Sequence, residues 1–157
     1  MTNPYFYSPA LLRHALLAGV CLLALHSHSA WAQDARSGTF KTVQGGVSVL
    51  QGEAKRVATS GSPLNEADRV QTDAQGAAVL MLRDGTTISI GPGTTVDLSR
   101  FQFNGVTQEG SLMVRLLQGS IRMVTGLLGK VQPENVKVIT PTSTVSVRGT
   151  DFIVEVL

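Results

Sequence analysis

Cysteine, tryptophan, tyrosine and histidine are almost missing from this sequence, at one, one, two and three residues in 157. All of them stand in the first 32 positions: Tyr5, Tyr7, His14, Cys21, His26, His28 and Trp31. The 125 residues that follow contain none. For that stretch, histidine acid–base chemistry, cysteine nucleophiles, disulfides and metal sites built on imidazole or thiolate are excluded. So are stacking platforms of tryptophan or tyrosine. An excess of either charge is lacking too. Beyond position 32 the chain has 12 Lys and Arg against 11 Asp and Glu, a net of +1. This balance predicts no strong field toward nucleic acid or an anionic membrane.

Long hydrophobic runs are also scarce. Ala15 to Leu25 form an apolar run of 11 residues after Arg13, whereas crossing a bilayer as a helix takes about 20. Ala30-Trp31-Ala32 then offers the small residues that signal peptidase reads. Residues 1–32 therefore read as a helical signal peptide cut after Ala32, with the product in the periplasm or secreted and no stable membrane insertion after cleavage. Without a thiol in an oxidising compartment, the rest of the chain must draw its stability from its core. Residues 33–44 read as a flexible lead-in and residues 45–157 as one domain.

What is present is a succession of short alternating runs. GVSVL (46–50), AAVLML (77–82), TTISI (86–90), TTVDL (94–98), LMVRLL (112–117), SIRMV (120–124), VKVIT (136–140), TVSV (144–147) and FIVEV (152–156) are rich in Val, Ile and Thr. Their apolar residues recur at spacing two, the period of half-buried strands. Asp84-Gly85 reads as a type I′ hairpin turn, and Gly91-Pro92-Gly93 and Pro133-Glu134-Asn135 as further turns. The best helical candidate, TGLLGK (125–130), carries two Gly, which oppose a helix by about 1 kcal/mol each. The expectation is an all-β fold of about nine to eleven strands. It would be a compact roll or solenoid-like stack of short antiparallel strands and hairpins, with a β-sandwich as the alternative. Gly52 to Asp68 and Arg100 to Gly110 read as the long loops.

Three blocks resemble the FecR domain, a periplasmic β-rich module named after the regulator of iron-citrate uptake. They are GAAVLMLRDGTTISIGPGTTVDL (76–98), LLQGSIRMVTGLLGK (116–130) and PENVKVITPTSTVSVRGTDFIVEV (133–156), joined by the opening stretch 45–76. The resemblance implies a binding or signalling-related role without catalysis or cofactor. In transmembrane signalling members a cytoplasmic anti-sigma segment and one membrane helix precede this region. Here 32 residues with a cleavable apolar run precede it, which is more similar to exported, stand-alone members. The partner class expected is an envelope protein rather than nucleic acid.

Candidate contacts follow from residue type and spacing. Arg148-Gly149-Thr150-Asp151-Phe152 either offers a guanidinium and a carboxylate to a partner or forms a tight turn at Gly149. Phe101 and Phe103 share a strand face and read as core cover or a docking patch. Leu127 and Leu128, on a loop flanked by Gly, must tuck in or meet something. Arg115, Arg122 and Arg148 sit within or beside strands, Arg115 and Arg122 facing away from their apolar neighbours. They read either as a basic stripe or as the ordinary alternation of a solvated face, which needs no ligand. Asp84, Gly85, Gly91, Pro92, Pro141, Gly149, Thr150 and Phe152 read as structural. Glu66, Asp68, Asp73, Asp84, Asp97 and Asp151 show no spacing that argues for paired-carboxylate catalysis or for a calcium loop. With only Phe40, Phe101, Phe103 and Phe152 beyond the leader, a carbohydrate-binding or scaffolding module is the weaker alternative. If the chain ends at Leu157, the final strand has unused edge groups to which a partner strand could add.

Overall fold

The computed structural model describes residues 36–149 and 151–156. The signal segment with its cleavage point, Thr150 and Leu157 lie outside the described residues. Twelve strands form among the described residues: β1 (Arg36–Gln44), β2 (Val47–Gln51), β3 (Ala54–Val57), β4 (Pro63–Asn65), β5 (Arg69–Thr72) and β6 (Ala77–Leu82), then β7 (Thr87–Ile90), β8 (Thr95–Phe103), β9 (Gly110–Val124), β10 (Val136–Ile139), β11 (Thr144–Ser146) and β12 (Asp151–Val156). One short helix, α1 (Leu127–Val131), and a 3-10 turn (Pro133–Asn135) link β9 to β10. The fold is mostly β, a curled antiparallel sheet of half-barrel form.

The period-two pattern dictates most of it. Ala78, Leu80 and Leu82 of β6 and Ile88 and Ile90 of β7 are buried, while their alternates face outward. Strand order runs β3-β2-β5-β8-β9-β7-β6-β1-β4, with β10 and β12 attached to β9, and β11 to β10. A solenoid would pair each coil only with its sequence neighbours, but β1 pairs β6 and β5 pairs β8.

β9 joins the two halves of the sheet. Its first part pairs β8 and β10, and its second part pairs β7 and β12. The sequence suggests two strands here, 112–117 and 120–124; the structure runs one strand of 15 residues through Gly119. Gly119 takes φ +83, and a Cβ there would lie 2.7 Å from Thr94 Cα. The inward phase switches across it, from Leu112, Val114 and Leu116 to Ile121 and Met123. Leu64, Leu80 and Ile88 of one half thereby face Val70, Val96, Leu98 and Val114 of the other.

Several expectations are corrected. Residues 36–44 are strand rather than flexible lead-in, because Phe40 enters the core at 1 % exposure and β1 pairs both β4 and β6. The stretch from Gly52 to Asp68 contains β3 and β4, and β8 extends to Phe103. The segment read as too glycine-rich for helix forms α1. β10 runs parallel to β9, and a parallel return needs a crossover that an antiparallel hairpin does not. Gln132 Oε1 accepts from Gly110 N at 2.9 Å and Asn135 Nδ2 donates to Gly110 O at 3.0 Å, fixing this crossover to the start of β9. Asp84-Gly85 is no type I′ pair, since only Gly85 has positive φ (+84). Gly85 N bonds Leu82 O at 3.0 Å, the pattern of a three-residue loop closed by a left-handed glycine.

Candidate functional site

The longest free edge of the sheet among the described residues is β12. It pairs β9 from Asp151↔Val124 to Val156↔Gly119, and among the described residues no strand covers its other side. Alternation turns Phe152, Val154 and Val156 toward the core, yet all three stay half-buried. Asp151, Ile153 and Glu155 face outward, and Ile153 is 70 % exposed. Val145 and Val147, in and just after β11, are also packed against the core and only half-covered.

Other free edges are blunted in the ways natural sheets protect them. β3 has four residues and carries Lys55 and Arg56. β4 has three and begins at Pro63. β11 has three polar or half-buried residues. β12 has six, with an isoleucine at the centre of its outward row.

The turn that delivers the chain to β12 uses Gly149 at φ +53. Asp151 then meets Arg122 in a two-pronged pair, Nε to Oδ1 at 2.8 Å and Nη2 to Oδ2. The hydrogen bonds and charge of Arg122 hold the Asp151 carboxyl below the ordinary carboxylate range, and the same carboxylate raises the Arg122 guanidinium. The sequence offers Arg148 and Asp151 together as a recognition pair. The structure gives them different neighbours: Asp151 is engaged by Arg122, while Arg148 lines a surface hollow with Pro133, Glu134, Ser146 and Val147.

Two other candidate contacts are corrected by burial. Phe101 is 4 % exposed and Leu128 is fully buried, so neither is available to a partner. Phe101 turns inward because a register shift between Leu98 and Arg100 moves the inward positions of β8 from even to odd numbers. The Arg83 guanidinium lies 5.8 Å from its ring centre. Phe103 is half-buried, and Leu127, at 38 % exposure, keeps an accessible side.

The turn residues act locally. Asp84 is 2 % exposed. Its Oδ1 accepts from Thr86 N at 3.0 Å and its Oδ2 from Thr86 Oγ1 at 2.7 Å, while Thr86 Oγ1 accepts from Gly126 N at 2.9 Å. This ties the β6–β7 turn to the entrance of α1. Gly91 O accepts from Thr72 Oγ1 at 2.7 Å and Pro92 O from Thr94 Oγ1 at 3.2 Å. Pro141 lies in the β10–β11 turn, closed by Thr140 N bonding Ser143 O at 2.8 Å.

The carboxylates named in the sequence each hold a local partner, although Asp68 Oδ1 is buried without one. Asp68 bonds Arg56 at 3.0 Å and Asn65 N at 2.9 Å, Glu66 accepts from Phe101 N at 3.1 Å, and Asp73 accepts from Gln75 N at 2.9 Å. Asp97 takes the Arg69 fork at 2.6 and 2.9 Å, which raises the Arg69 guanidinium. Among the described residues no group of three or more His, Cys, Asp or Glu gathers as metal ligands, and no helix is long and apolar enough to cross a membrane.

Taken together, these features define a curled β module whose most distinctive surface is an unpaired strand edge. The chain belongs to the FecR family: the family model described as FecR protein matches residues 68–156. That family is envelope-associated and related to periplasmic signalling. The match spans β5 to β12 and includes the open edge, whereas β1 to β4 precede it. No curated protein and no solved structure matches the chain.

Proposed function

We propose that the chain is an exported, non-catalytic recognition module of the cell envelope that takes up a protein partner by adding the partner's strand to β12. The observation that carries this reading is the contrast between edges. β12 alone among them offers six residues, unpaired on one side among the described residues, with Ile153 exposed at the middle. Main-chain hydrogen bonds to such an edge supply affinity, and alternate side chains supply selection. Ile153 is the apolar anchor. Glu155 adds a negative charge beside it, and Asp151 is neutralised in place by Arg122. Half-buried Phe152, Val154 and Val156 gain cover when a strand docks. Sugar stacking has little to work with, since Phe40 and Phe101 are buried and Phe103 and Phe152 half-buried.

The test is photo-crosslinking in intact cells, with the reactive residue placed at position 153 and, as a control, at Val106, which is 93 % exposed on the β8–β9 loop. A discrete protein adduct from position 153 and none from position 106 is expected. Equal labelling from both, or none from 153, contradicts the reading.

A further inference from the structure

A second surface lies on the outer face of the half-sheet that contains β2, β3, β5, β8, β10 and β11. Residues directly opposite one another in neighbouring strands share a face. One row crosses seven strands as Lys55, Leu50, Arg69, Asp97, Arg115, Ile139 and Thr144. The adjacent row runs Arg100, Met113, Lys137 and Ser146. Five cations and a single carboxylate therefore share this face, within a chain whose net charge is only +2. The carboxylate, Asp97, is already paired with Arg69. Glu53, Glu66, Asp73, Asp84, Glu109 and Glu134 lie in turns or loops, and of these Asp73 lines a surface hollow together with Lys55 at the margin of the face.

We propose that this face docks on an anionic lipid surface. Strand spacing of about 4.8 Å puts Lys55, Arg69 and Arg115, each two strands from the next, roughly 10 Å apart. Lys55, Arg100, Arg115 and Lys137 are exposed and hold no carboxylate among the described residues. An acidic protein would be matched by aromatic anchors, and a polyanionic strand by stacking rings; neither row contains an aromatic residue, and none lines the hollow formed by Leu50, Gly52, Ala67, Arg69 and Asp97. Mobile headgroups can rearrange beneath a dispersed lattice of cations, each of which then adds to binding. The contact is electrostatic and superficial, with Leu50, Met113 and Ile139 half-buried between the charges.

The full chain is tested by co-sedimentation with vesicles of equal parts phosphatidylglycerol and phosphatidylcholine, with pure phosphatidylcholine vesicles measuring any contribution of the leader. Preferential binding to the anionic vesicles, falling steeply with added salt, is expected. The triple variant Arg100→Gln, Arg115→Gln, Lys137→Gln should bind them roughly 100-fold more weakly, about fivefold per charge. The single variant Arg122→Gln, on the other half of the sheet, should bind as the unsubstituted chain does. A single Lys137→Gln variant, expected to lose about fivefold, serves if the triple variant unfolds early in a thermal melt. Equal binding to both vesicle types overturns the proposal, as does binding unchanged in the substituted chains. Binding to soluble polyglutamate without binding to the anionic vesicles assigns the face to an acidic protein and also overturns it.

Discussion

Gly119 shows how much one residue can decide. Its φ of +83 belongs to the left-handed region, and Thr94 occupies the space where a side chain would begin. Gly119→Ala is expected to destabilise the fold by about 2–4 kcal/mol through backbone strain and overpacking, measured by denaturant unfolding. Asp84→Ala should lower stability by about 1–3 kcal/mol, because it strips the buried Thr86 amide and hydroxyl of their acceptor. Asp151 gives a pH signature. Its carboxyl is depressed in the folded state by Arg122, so the pair's contribution is present above the unfolded carboxylate range and is lost as pH falls through the folded value. A carboxyl NMR titration should place the Asp151 midpoint below that of an ordinary aspartate, and Arg122→Gln should move it upward. An unmoved midpoint would show that the fork does not persist in solution. Little of this was legible in advance, since a carboxylate's partner is chosen by strand register, as when Arg122 meets Asp151 across 29 positions.

At the scale of elements, alternation made the strands readable, and phase changes hid what they do. β6, β7, β10 and β12 keep one inward parity from end to end and fall where their patterns indicate. β8 and β9 each switch parity, so spacing left Phe101 open between core cover and docking patch, and a continuous strand looked like two. α1 escaped because local propensity was overruled by the need for a crossover to a parallel strand. Leu128 anchors it, fully buried. Leu128→Ala should cost about 2–5 kcal/mol, whereas Leu127→Ala, at a position that keeps an exposed side, should fall within about 1 kcal/mol. Thermal melts of the two variants check the difference. The strand character of β12 was visible in FIVEV, but its standing as an open edge was not, because an edge is defined by which strands pair and not by any one strand's residues.

Across the whole molecule, long-range pairing ties the beginning of the domain to its middle. β1 lies between β4 and β6 and places Phe40 in the core. A fragment starting at residue 45 should therefore fail to unfold cooperatively, while the compact unit Asp34–Leu157 does so. Near neutrality of charge gave no hint that the sheet would bring Lys55, Arg69, Arg100, Arg115 and Lys137 onto one face with Asp97 as the carboxylate in their rows. The same sheet leaves β12 open, and hydrogen exchange read amide by amide along Asp151–Val156 tests that most directly. In the isolated chain, amides bonded to β9 should exchange slowly and those pointing outward fast, with the outward set slowing once the partner crosslinked at position 153 is bound. Protection of both sets in the isolated chain, or outward amides unchanged by that partner, would contradict the account.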